Sequence, residues 1–245
     1  MLDGPAPRIL VTGAASGIGR AAAVRLARHG AHVLATDVND ADGATLAEEA
    51  GSGTLVYRHA DVTDEAQVTD AVADAVARWG GLDALVAVAG VMRGQMQDLR
   101  TFELATWDLV VDTNLKGAFL AAKHAAGPML AAGRGTIVLV GSRAGVSAGS
   151  GSYAYGASKG GTHGLAMTLE RHLGPLGVRV HDLCPGDVDT PLFRRSIAEA
   201  VANGADPAWA AGVLAKLTPP DAIADVIAFL VSDAARAVRG TVFTA

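Results

Sequence analysis

The chain passes from a predicted strand into a predicted helix through Val11-Thr12-Gly13-Ala14-Ala15-Ser16-Gly17-Ile18-Gly19. Glycines at such a turn let the backbone bend tightly and approach a diphosphate, while the free N–H groups that open the helix attract negative charge. The spacing is G-x-x-x-G-x-G rather than the more common G-x-G-x-x-G. The stretch favours a dinucleotide site, with a tight strand–helix turn that binds no ligand as the alternative.

Outward from this turn, short apolar runs alternate with longer alanine-rich stretches of helical spacing. Runs that are apolar along their length are typical of a parallel sheet covered on both faces. The alternation predicts an α/β fold, a doubly wound parallel sheet in a three-layer α/β/α arrangement. The predicted strands are 8–12, 32–37, 55–59, 84–89, 136–140, 179–184 and 240–244. The predicted helices are 18–29, 42–50, 64–79, 107–130, 155–173 and 221–231.

The composition fits one folded domain. Hydrophobic residues make up 50% of the 245 residues and charged residues 18%, which excludes a disordered chain. The thirty glycines lack the three-residue period of collagen. No repeat or low-complexity linker divides the chain, so we expect one domain over residues 1–245. Residues 191–219 break the strand–helix rhythm and predict an inserted substrate flap with short helices.

Charge and cysteine content limit the classes of partner and ligand that the chain is expected to bind. A net charge of −5 gives no electrostatic basis for binding nucleic acid or an anionic membrane. No unbroken apolar run exceeds six residues, far short of a membrane span. Cys184 is the single cysteine, and the seven histidines lack metal-ligand spacing, so we expect no disulfide and no metal. Residues 1–7 lack the pattern of a signal peptide, and we expect a cytoplasmic protein.

An acidic residue at the end of the second predicted strand bears on the choice of dinucleotide. Asp37 follows Gly19 by 18 residues, close to the spacing of about 20 residues for the acid that binds an adenosine ribose. Its carboxylate would accept hydrogen bonds from the ribose hydroxyls and repel a 2′-phosphate. NAD(H) is therefore favoured over NADP(H), with a solvated strand-end aspartate as the alternative.

A second constellation is Tyr155-Gly156-Ala157-Ser158-Lys159. On a helix, residues four apart share a face, so the lysine ammonium would lie near the tyrosine and lower its pKa from the usual value of about 10. Two partners accompany the pair. Ser142 stands 13 residues before Tyr155, just past a predicted strand, and Asn114 stands 41 residues before it, inside a predicted helix.

Together these motifs resemble the short-chain dehydrogenase/reductase family in its single-domain form, and the resemblance covers essentially the whole chain. It implies a Rossmann-like sheet of about seven strands. The matched stretches are 12–19, Asp61-Val62, Ala89-Gly90, Asn114, Ser142, Tyr155 with Lys159, and Pro185-Gly186-Asp187-Val188-Asp189-Thr190.

The resemblance implies a role for each catalytic position. Tyr155 would be the general acid–base. Ser142 would bind the same substrate oxygen, and Lys159 would tune Tyr155 and hold the nicotinamide ribose. Asn114 would position a water that links Lys159 to solvent. As alternatives, Ser142 is a strand-end cap and Asn114 a helix asparagine bonded to a neighbouring strand. Tyr153 has no lysine four residues later, so we interpret it as packing or pocket wall.

The implied cofactor contacts extend along the chain. Asp61 would bind the adenine amine, Gly90 would let the backbone pass close to the cofactor, and Val188 would meet the carboxamide. The full set is Gly13, Ser16, Gly17, Ile18, Gly19, Asp37, Asp61, Val62, Ala89, Gly90, Tyr155, Lys159, Pro185, Gly186, Val188 and Thr190.

Two stretches depart from the family pattern. The fourth strand ends in Ala87-Val88-Ala89-Gly90 where the family usually has Asn-Asn-Ala-Gly, which casts doubt on local rigidity more than on chemistry. The chain also stops at Gly240-Thr241-Val242-Phe243-Thr244-Ala245, before the Asp-Gly-Gly and short tail that are common in the family, so oligomer details are less determined.

The residues expected to line the substrate site are mostly small or apolar. We expect Ser142 and Tyr155 to bind substrate together with Gly94, Met96, Leu192 and Phe193, and their small or apolar neighbours favour an uncharged ketone or secondary alcohol. Simple packing of the flap residues on the body is the alternative. Arg143, Arg194 and Arg195 are interpreted as solvated, with recognition of a carboxylate or phosphate as the alternative.

The helix at 155–173 also suggests an assembly. Gly160, Gly161, Gly164 and Ala166 would leave its outer side smooth, so that another helix could approach closely. With the resemblance, this predicts a homotetramer, or a dimer as the second choice. Close packing within one subunit is the alternative.

The sequence therefore predicts an NAD(H)-dependent oxidoreductase that transfers a hydride between the nicotinamide and a ketone or secondary alcohol. It would act on the CH–OH group of donors. The alternatives are epimerisation or dehydration with bound NAD on the same scaffold, and a non-catalytic dinucleotide-sensing module.

Overall fold

A seven-stranded parallel sheet organises the part of the chain that the structure, a computed structural model, describes, which is residues 6–244. The strand order is β3-β2-β1-β4-β5-β6-β7, with every pairing parallel. The order reverses between β1 and β4, which places a crevice at their carboxyl ends. The strands are β1 (Arg8–Thr12), β2 (His32–Asp37), β3 (Thr54–His59), β4 (Ala84–Ala87), β5 (Gly135–Val140), β6 (Val178–Cys184) and β7 (Gly240–Phe243).

Helices connect these strands and cover both faces of the sheet. Their bounds are α1 (Gly17–Arg28), α2 (Asp40–Gly43), α3 (Glu65–Trp79), α4 (Leu104–Val111), α5 (Gly117–Ala132), α6 (Arg143–Val146), α7 (Tyr153–Leu173), α8 (Pro191–Ala202), α9 (Pro207–Leu214) and α10 (Pro220–Val231). Within residues 6–244, none of them combines the length and the apolar character that a membrane crossing requires.

The two faces of the sheet carry separate cores. Alternate residues of a strand point to opposite faces, and in β1 Ile9 and Val11 pack with residues of α1 and α10. Leu10, between them, packs with residues of α3, α5 and α7 on the other face. Because both faces are covered, the strands are apolar at consecutive positions, as the sequence predicts. The α/β prediction is confirmed.

The predicted helix at 42–50 is wrong. The chain instead forms the four-residue helix α2 and a separate 3₁₀ turn at Leu46–Glu49. Gly43 ends α2 directly against β3, where an added Cβ would lie 2.2 Å from the Tyr57 ring. The Tyr57 hydroxyl also donates to the Asp37 carbonyl at 2.9 Å and to Asp40 at 2.7 Å. These contacts hold α2 against the sheet. The helix ends at Gly43, before another turn can form.

The predicted helix at 107–130 is two helices joined by a π-helical segment, Asp112–Lys116. A π segment inserts an extra residue into helical spacing and is common at functional sites. Here it carries Asn114. The extra residue turns that side chain inward, so that it is 1% exposed.

The smooth outer side expected of α7 is also wrong in part. An added Cβ on Gly161 would lie 2.7 Å from Leu115, and one on Gly160 would lie 3.1 Å from the Gly145 carbonyl. Ala166 is buried in the core. These small residues let α7 pack closely within its own subunit. Only Gly164 of the four faces open space.

Gly53 permits a tight approach that a methyl group would disrupt. An added Cβ would lie 2.3 Å from the carbonyl oxygens of Ala27 and Ala31, both backbone atoms. We expect Gly53→Ala to lower the free energy of unfolding by about 1–3 kcal/mol, because the backbone must shift. Urea unfolding followed by circular dichroism measures this change.

The matched control is Gly212→Ala in α9, where nothing lies within 4 Å of the added Cβ. This variant should gain about 0.5–1 kcal/mol, since glycine is costly inside a helix. Equal effects of the two substitutions would contradict the close packing at Gly53.

Candidate active site

The site residues expected from the sequence gather at the carboxyl edge of the sheet. The glycine turn follows β1, Ala89-Gly90 follows β4, Ser142 follows β5, and residues 185–190 follow β6. In parallel sheets this edge, at the point where the strand order reverses, is where ligands bind.

The glycine turn has the geometry of a backbone cradle. Gly13 has φ 69°, and an added Cβ there would lie 2.5 Å from Ala89 Cα. An added Cβ on Gly19 would lie 2.0 Å from the Gly13 carbonyl oxygen. Side chains are therefore excluded at Gly13 and Gly19, on either side of the first residue of α1, Gly17. The first N–H groups of a helix lack partners within it. Ser16, the N-cap, makes no side-chain cap bond. Such a cradle fits a diphosphate.

Asp37 is held at the end of β2 beside this turn. Its two carboxylate oxygens accept the backbone N–H groups of Ala15 and Asn39, each at 3.0 Å. A carboxylate has about four acceptor positions, so each oxygen can accept a further bond. Fixed there, the carboxylate suits a pair of ribose hydroxyls and opposes a phosphate.

Asp61 and Val62 lie just after β3. Asp61 accepts the N–H and the hydroxyl of Thr63, both at 2.8 Å, and its own N–H donates to Gln67 at 2.9 Å. Val62 is buried against Gly117, where an added Cβ would lie 2.6 Å away. The predicted adenine-side residues are therefore rigidly placed at the same edge as Asp37.

Tyr155 and Lys159 project from the same face of α7. They are 7% and 4% exposed, and Lys159 Nζ lies 5.8 Å from the centre of the Tyr155 ring. Lys159 Nζ also donates to the Val140 carbonyl at 2.7 Å. Ser142 caps α6 by accepting the Ala144 N–H at 3.1 Å, and its hydroxyl is hydrogen-bonded to Tyr155. Ser142 is thus both the strand-end cap and a neighbour of the tyrosine.

Burial dominates the proton affinities of this pair. It raises the pKa of Tyr155 to about 12, against an opposing effect of the Ser142 hydrogen bond. It lowers the pKa of Lys159 to about 8. The lowered tyrosine pKa expected from the sequence is therefore absent in the protein alone, because desolvation outweighs the opposing effect of Ser142. At neutral pH the pair is a protonated phenol beside an ammonium, which suits proton donation.

Asn114 acts as a clamp on the loop after β4. Its Oδ1 accepts the Val91 N–H at 2.7 Å, and its Nδ2 donates to the Val91 carbonyl at 2.9 Å and to Ser158 Oγ at 3.0 Å. An added Cβ on Gly90 would lie 3.2 Å from Asn114 Oδ1 and 3.7 Å from Lys159 Nζ. This arrangement is close to the alternative in which Asn114 is a helix asparagine bonded to a neighbouring strand. The difference is that its partner, Val91, lies in a loop. The water-positioning role of Asn114 stays a prediction.

The segment after β6 packs against the glycine turn. Thr190 lies 3.0 Å from an added Cβ on Gly17, and it caps α8 by accepting the Phe193 N–H at 3.1 Å. Val188 forms a bridge with Thr218. Pro185 accepts the Arg143 N–H at 3.2 Å, and Gly186 follows it. The structure places Pro185, Gly186, Val188 and Thr190 together, with the Thr190 hydroxyl already used in a cap.

The predicted substrate residues lie on α8 and on the loop after β4. Leu192 and Phe193 of α8 pack in a small cluster with Met92, Val110 and Tyr155. The loop after β4 carries Gly94 and Met96. Met96 has φ 58°, which is unusual for a side chain other than glycine, and it is held by donating to the Gly151 carbonyl at 2.8 Å. An open depression of about 480 Å³ lies beside it, lined by Met96, Gln97, Asp98, Thr101, Glu103 and Asn203.

Sequence reasoning missed two residues that hold this loop. Glu199 of α8 accepts the Gly94 N–H at 2.8 Å, and Asn203 donates to the Gln95 carbonyl at 2.7 Å. Both pairs are more than 100 residues apart in sequence. No local motif marks such a contact, so only the packing of the flap could reveal it.

Comparison with known proteins gives a consistent family. The family model described as short chain dehydrogenase matches residues 7–200. The (+)-borneol dehydrogenase 2 of Salvia officinalis is 38% identical over 242 residues, covering 94% of this chain and 84% of that protein. The cis-4-hydroxycyclohexanecarboxylate dehydrogenase of Sinomonas cyclohexanicum is 39% identical over 235 residues, covering 95% and 92%. The crystal structure of levodione reductase superposes with a TM-score of 0.87 at 33% identity, covering 96% and 94%.

The Asn114 clamp generates a stability prediction. We expect Asn114→Ala to lower the free energy of unfolding by about 2–4 kcal/mol, because it removes three hydrogen bonds and leaves the Val91 backbone groups unpaired. Chemical unfolding measures the loss. Asn203→Ala, which removes one bond at an exposed position, serves as the control and should lose less than about 1 kcal/mol. Similar losses in both variants would contradict the clamp.

Proposed function

The chain belongs to the short-chain dehydrogenase/reductase family, and from this premise we propose that it is an NAD(H)-dependent oxidoreductase of ketones and secondary alcohols. The family implies a nicotinamide cofactor. The observation that carries the proposal is the grouping of Ser142, Tyr155 and Lys159 beside the glycine cradle. We further propose one domain over residues 1–245, of which 1–5 and 245 lie outside the described residues, with a substrate flap at 191–219.

The cradle residues fit the expected cofactor. Gly13 and Gly19 leave no room for side chains, and Gly17 has a positive φ of 55°. This arrangement suits a diphosphate at the start of α1. Asp37 would hold the adenosine ribose, and Asp61 with Val62 would face the adenine. Lys159 and residues 185–190 would hold the nicotinamide side. When bound, the nicotinamide supplies or accepts the hydride.

Side chains of the protein would supply the proton that the substrate oxygen receives. In ketone reduction, the Tyr155 hydroxyl donates its proton to the substrate oxygen, and Ser142 donates a hydrogen bond to the same atom. The Lys159 ammonium, 5.8 Å from the ring centre, stabilises the phenolate that remains. Alcohol oxidation runs the same steps in reverse. Because Tyr155 and Lys159 are buried, their charges act in a medium that weakens them less than water does.

The apolar side chains near Tyr155 and the relatives support the proposed substrate class. Leu192, Phe193 and Met92 surround Tyr155 with apolar side chains. A relative of this chain is named for a hydroxycyclohexanecarboxylate, a secondary alcohol on a ring. We propose a ketone or secondary alcohol on a carbon ring as the substrate class.

The proposed assembly is a homotetramer, with a dimer as the second choice. Its support lies in large apolar side chains that remain exposed on α4, α5 and α7, namely Leu104 (71% exposed), Leu109 (50%), Phe119 (45%) and Met167 (52%). Exposed apolar patches mark interaction surfaces. A partner of nucleic-acid or membrane type is not proposed, and the cytoplasmic location stays a prediction.

Tyr155→Phe tests the acid–base assignment. It should lower kcat at least ~100-fold, because the proton donor is lost, while NADH binding measured by fluorescence titration stays within about twofold. Tyr153→Phe is the matched control, since Tyr153 is 43% exposed and contacts Phe102 through its ring. Product analysis of the wild type also separates net oxidation from epimerisation or dehydration, which leave NADH unchanged. Near-normal turnover of Tyr155→Phe would overturn the mechanism.

Cofactor preference is tested at Asp37. We expect kcat/KM with NADH to exceed that with NADPH, and Asp37→Asn to reduce the ratio by about tenfold, equivalent to about 1.4 kcal/mol. Asparagine keeps an acceptor for the Ala15 N–H but loses the charge. Asp40→Asn removes a nearby exposed charge and should leave the ratio unchanged. A wild-type preference for NADPH would refute the assignment.

Assembly is tested by light scattering at micromolar concentration. We expect the mass of four chains, and Leu104→Glu together with Phe119→Glu should reduce it, because the charges oppose burial of these surfaces. A monomeric mass for the wild type would refute both the tetramer and the dimer.

A further inference from the structure

A second buried carboxylate lies behind the catalytic pair. Asp182, on β6, is 1% exposed. Its Oδ2 lies 2.8 Å from Nδ1 of His163 and accepts the thiol of Cys184 at 3.1 Å. Its Oδ1 has no hydrogen-bond partner among residues 6–244. An ionised carboxylate in such a place is costly unless a cation compensates it.

The position of Asp182 points to Lys159 as that cation. Asp182 Oδ1 lies 2.3 Å from an added Cβ on Gly141, so the carboxylate is pressed against the peptide that follows Val140. The Val140 carbonyl accepts Lys159 Nζ at 2.7 Å. Carboxylate and ammonium thus lie against adjacent peptide units of one strand end. A side chain at position 141 would separate them, and glycine leaves the space free.

The helix α7 completes the arrangement. Tyr155, Lys159 and His163 stand at successive positions four apart, on one helix face. That face meets β6, where Asp182 and Cys184 also share a face. The result is a line of ionisable side chains from the catalytic tyrosine to His163, which is 31% exposed.

His181 and Cys184 do not supply the missing charge. Burial lowers the pKa of His181 to about 4, so it is neutral. Burial raises the pKa of Cys184 to about 12, so its thiol stays protonated and acts as a donor to Asp182. Lys159 forms no ion pair within 4 Å in the described chain. Lys159 is the buried lysine of this group, and His163 is the partly exposed imidazole that contacts the Asp182 carboxylate.

We propose that Asp182 is the positioning residue that supplies the buried counter-charge for Lys159, with His163 and Cys184 holding its carboxylate in place. It touches neither the expected substrate nor the cofactor, so it acts through the lysine. Its charge favours the ammonium form of Lys159 against desolvation. The catalytic use of that ammonium rests on the function proposed above, but the electrostatic pairing does not.

Direct titration of Lys159 tests the pairing without any assay of activity. The chain has four lysines, at positions 116, 123, 159 and 216, so lysine labelled with ¹³C at Cε gives few signals. The signal of Lys159 is the one lost in Lys159→Arg. In the wild type its midpoint should fall near pH 8, where burial places the pKa. In Asp182→Asn it should fall by about one pH unit or more, the effect of losing a nearby opposite charge.

The control is Asp187→Asn, which removes an exposed carboxylate five residues further along the chain. It should leave the Lys159 midpoint unchanged. An unchanged midpoint in folded Asp182→Asn would overturn the proposal. If that variant does not fold, the ¹³Cγ shift of Asp182 in the wild type decides, since a protonated carboxyl at pH 7 would equally overturn it.

Kinetics connect the pairing to function. For ketone reduction, the alkaline limb of kcat/KM should move to lower pH in Asp182→Asn, in step with the Lys159 midpoint, because the neutral lysine no longer stabilises the phenolate. A merely structural role would lower the plateau without moving the limb. Absence of any reductase activity in the wild type would overturn the proposed function, and the titration would still decide the pairing.

Discussion

The close approach of two backbone segments, at Gly13 and Ala89, organises this molecule. The two chains are so near that a methyl group on Gly13 would lie 2.5 Å from Ala89 Cα. The contact follows from the parallel pairing of β1 with β4, which brings both strand ends to one edge. It sets the diphosphate cradle directly against the loop that carries Gly90, and that loop is clamped by Asn114. The glycine turn and the loop that carries Gly90 are therefore parts of one rigid edge.

The pair Tyr155 and Lys159, proposed to be catalytic, shows how burial and charge oppose each other. Removing Tyr155 and Lys159 from water favours their neutral forms, the phenol and the amine. The first effect keeps the proton on Tyr155 at neutral pH but makes the phenol a weaker acid. The second effect weakens stabilisation of the phenolate. Hydrogen bonds accompany this burial. The bond with Ser142 opposes the rise in the pKa of Tyr155, and Lys159 Nζ donates to the Val140 carbonyl. The balance is electrostatic, and no single group determines it.

Much of this arrangement could be predicted from local sequence. Strand bounds are matched within two residues, because continuous apolar runs mark strands of a covered parallel sheet. Glycine spacing and the Tyr155–Lys159 interval likewise depend on neighbouring residues. The π segment around Asn114, the break after Gly43 and the packing of Gly161 against Leu115 could not be predicted. Each depends on a contact with a distant part of the chain. Helical periodicity in the sequence carries no information about such contacts.

The bonds from α8 to the loop after β4 have a consequence for how specificity can change. Glu199 and Asn203 hold the backbone at Gly94 and Gln95 rather than any side chain. The same helix presents Leu192 and Phe193 to Tyr155. A shift of α8 would therefore move both the apolar side chains near Tyr155 and the backbone at Gly94 and Gln95. One substitution that displaces this helix would therefore act on two segments of the chain at once.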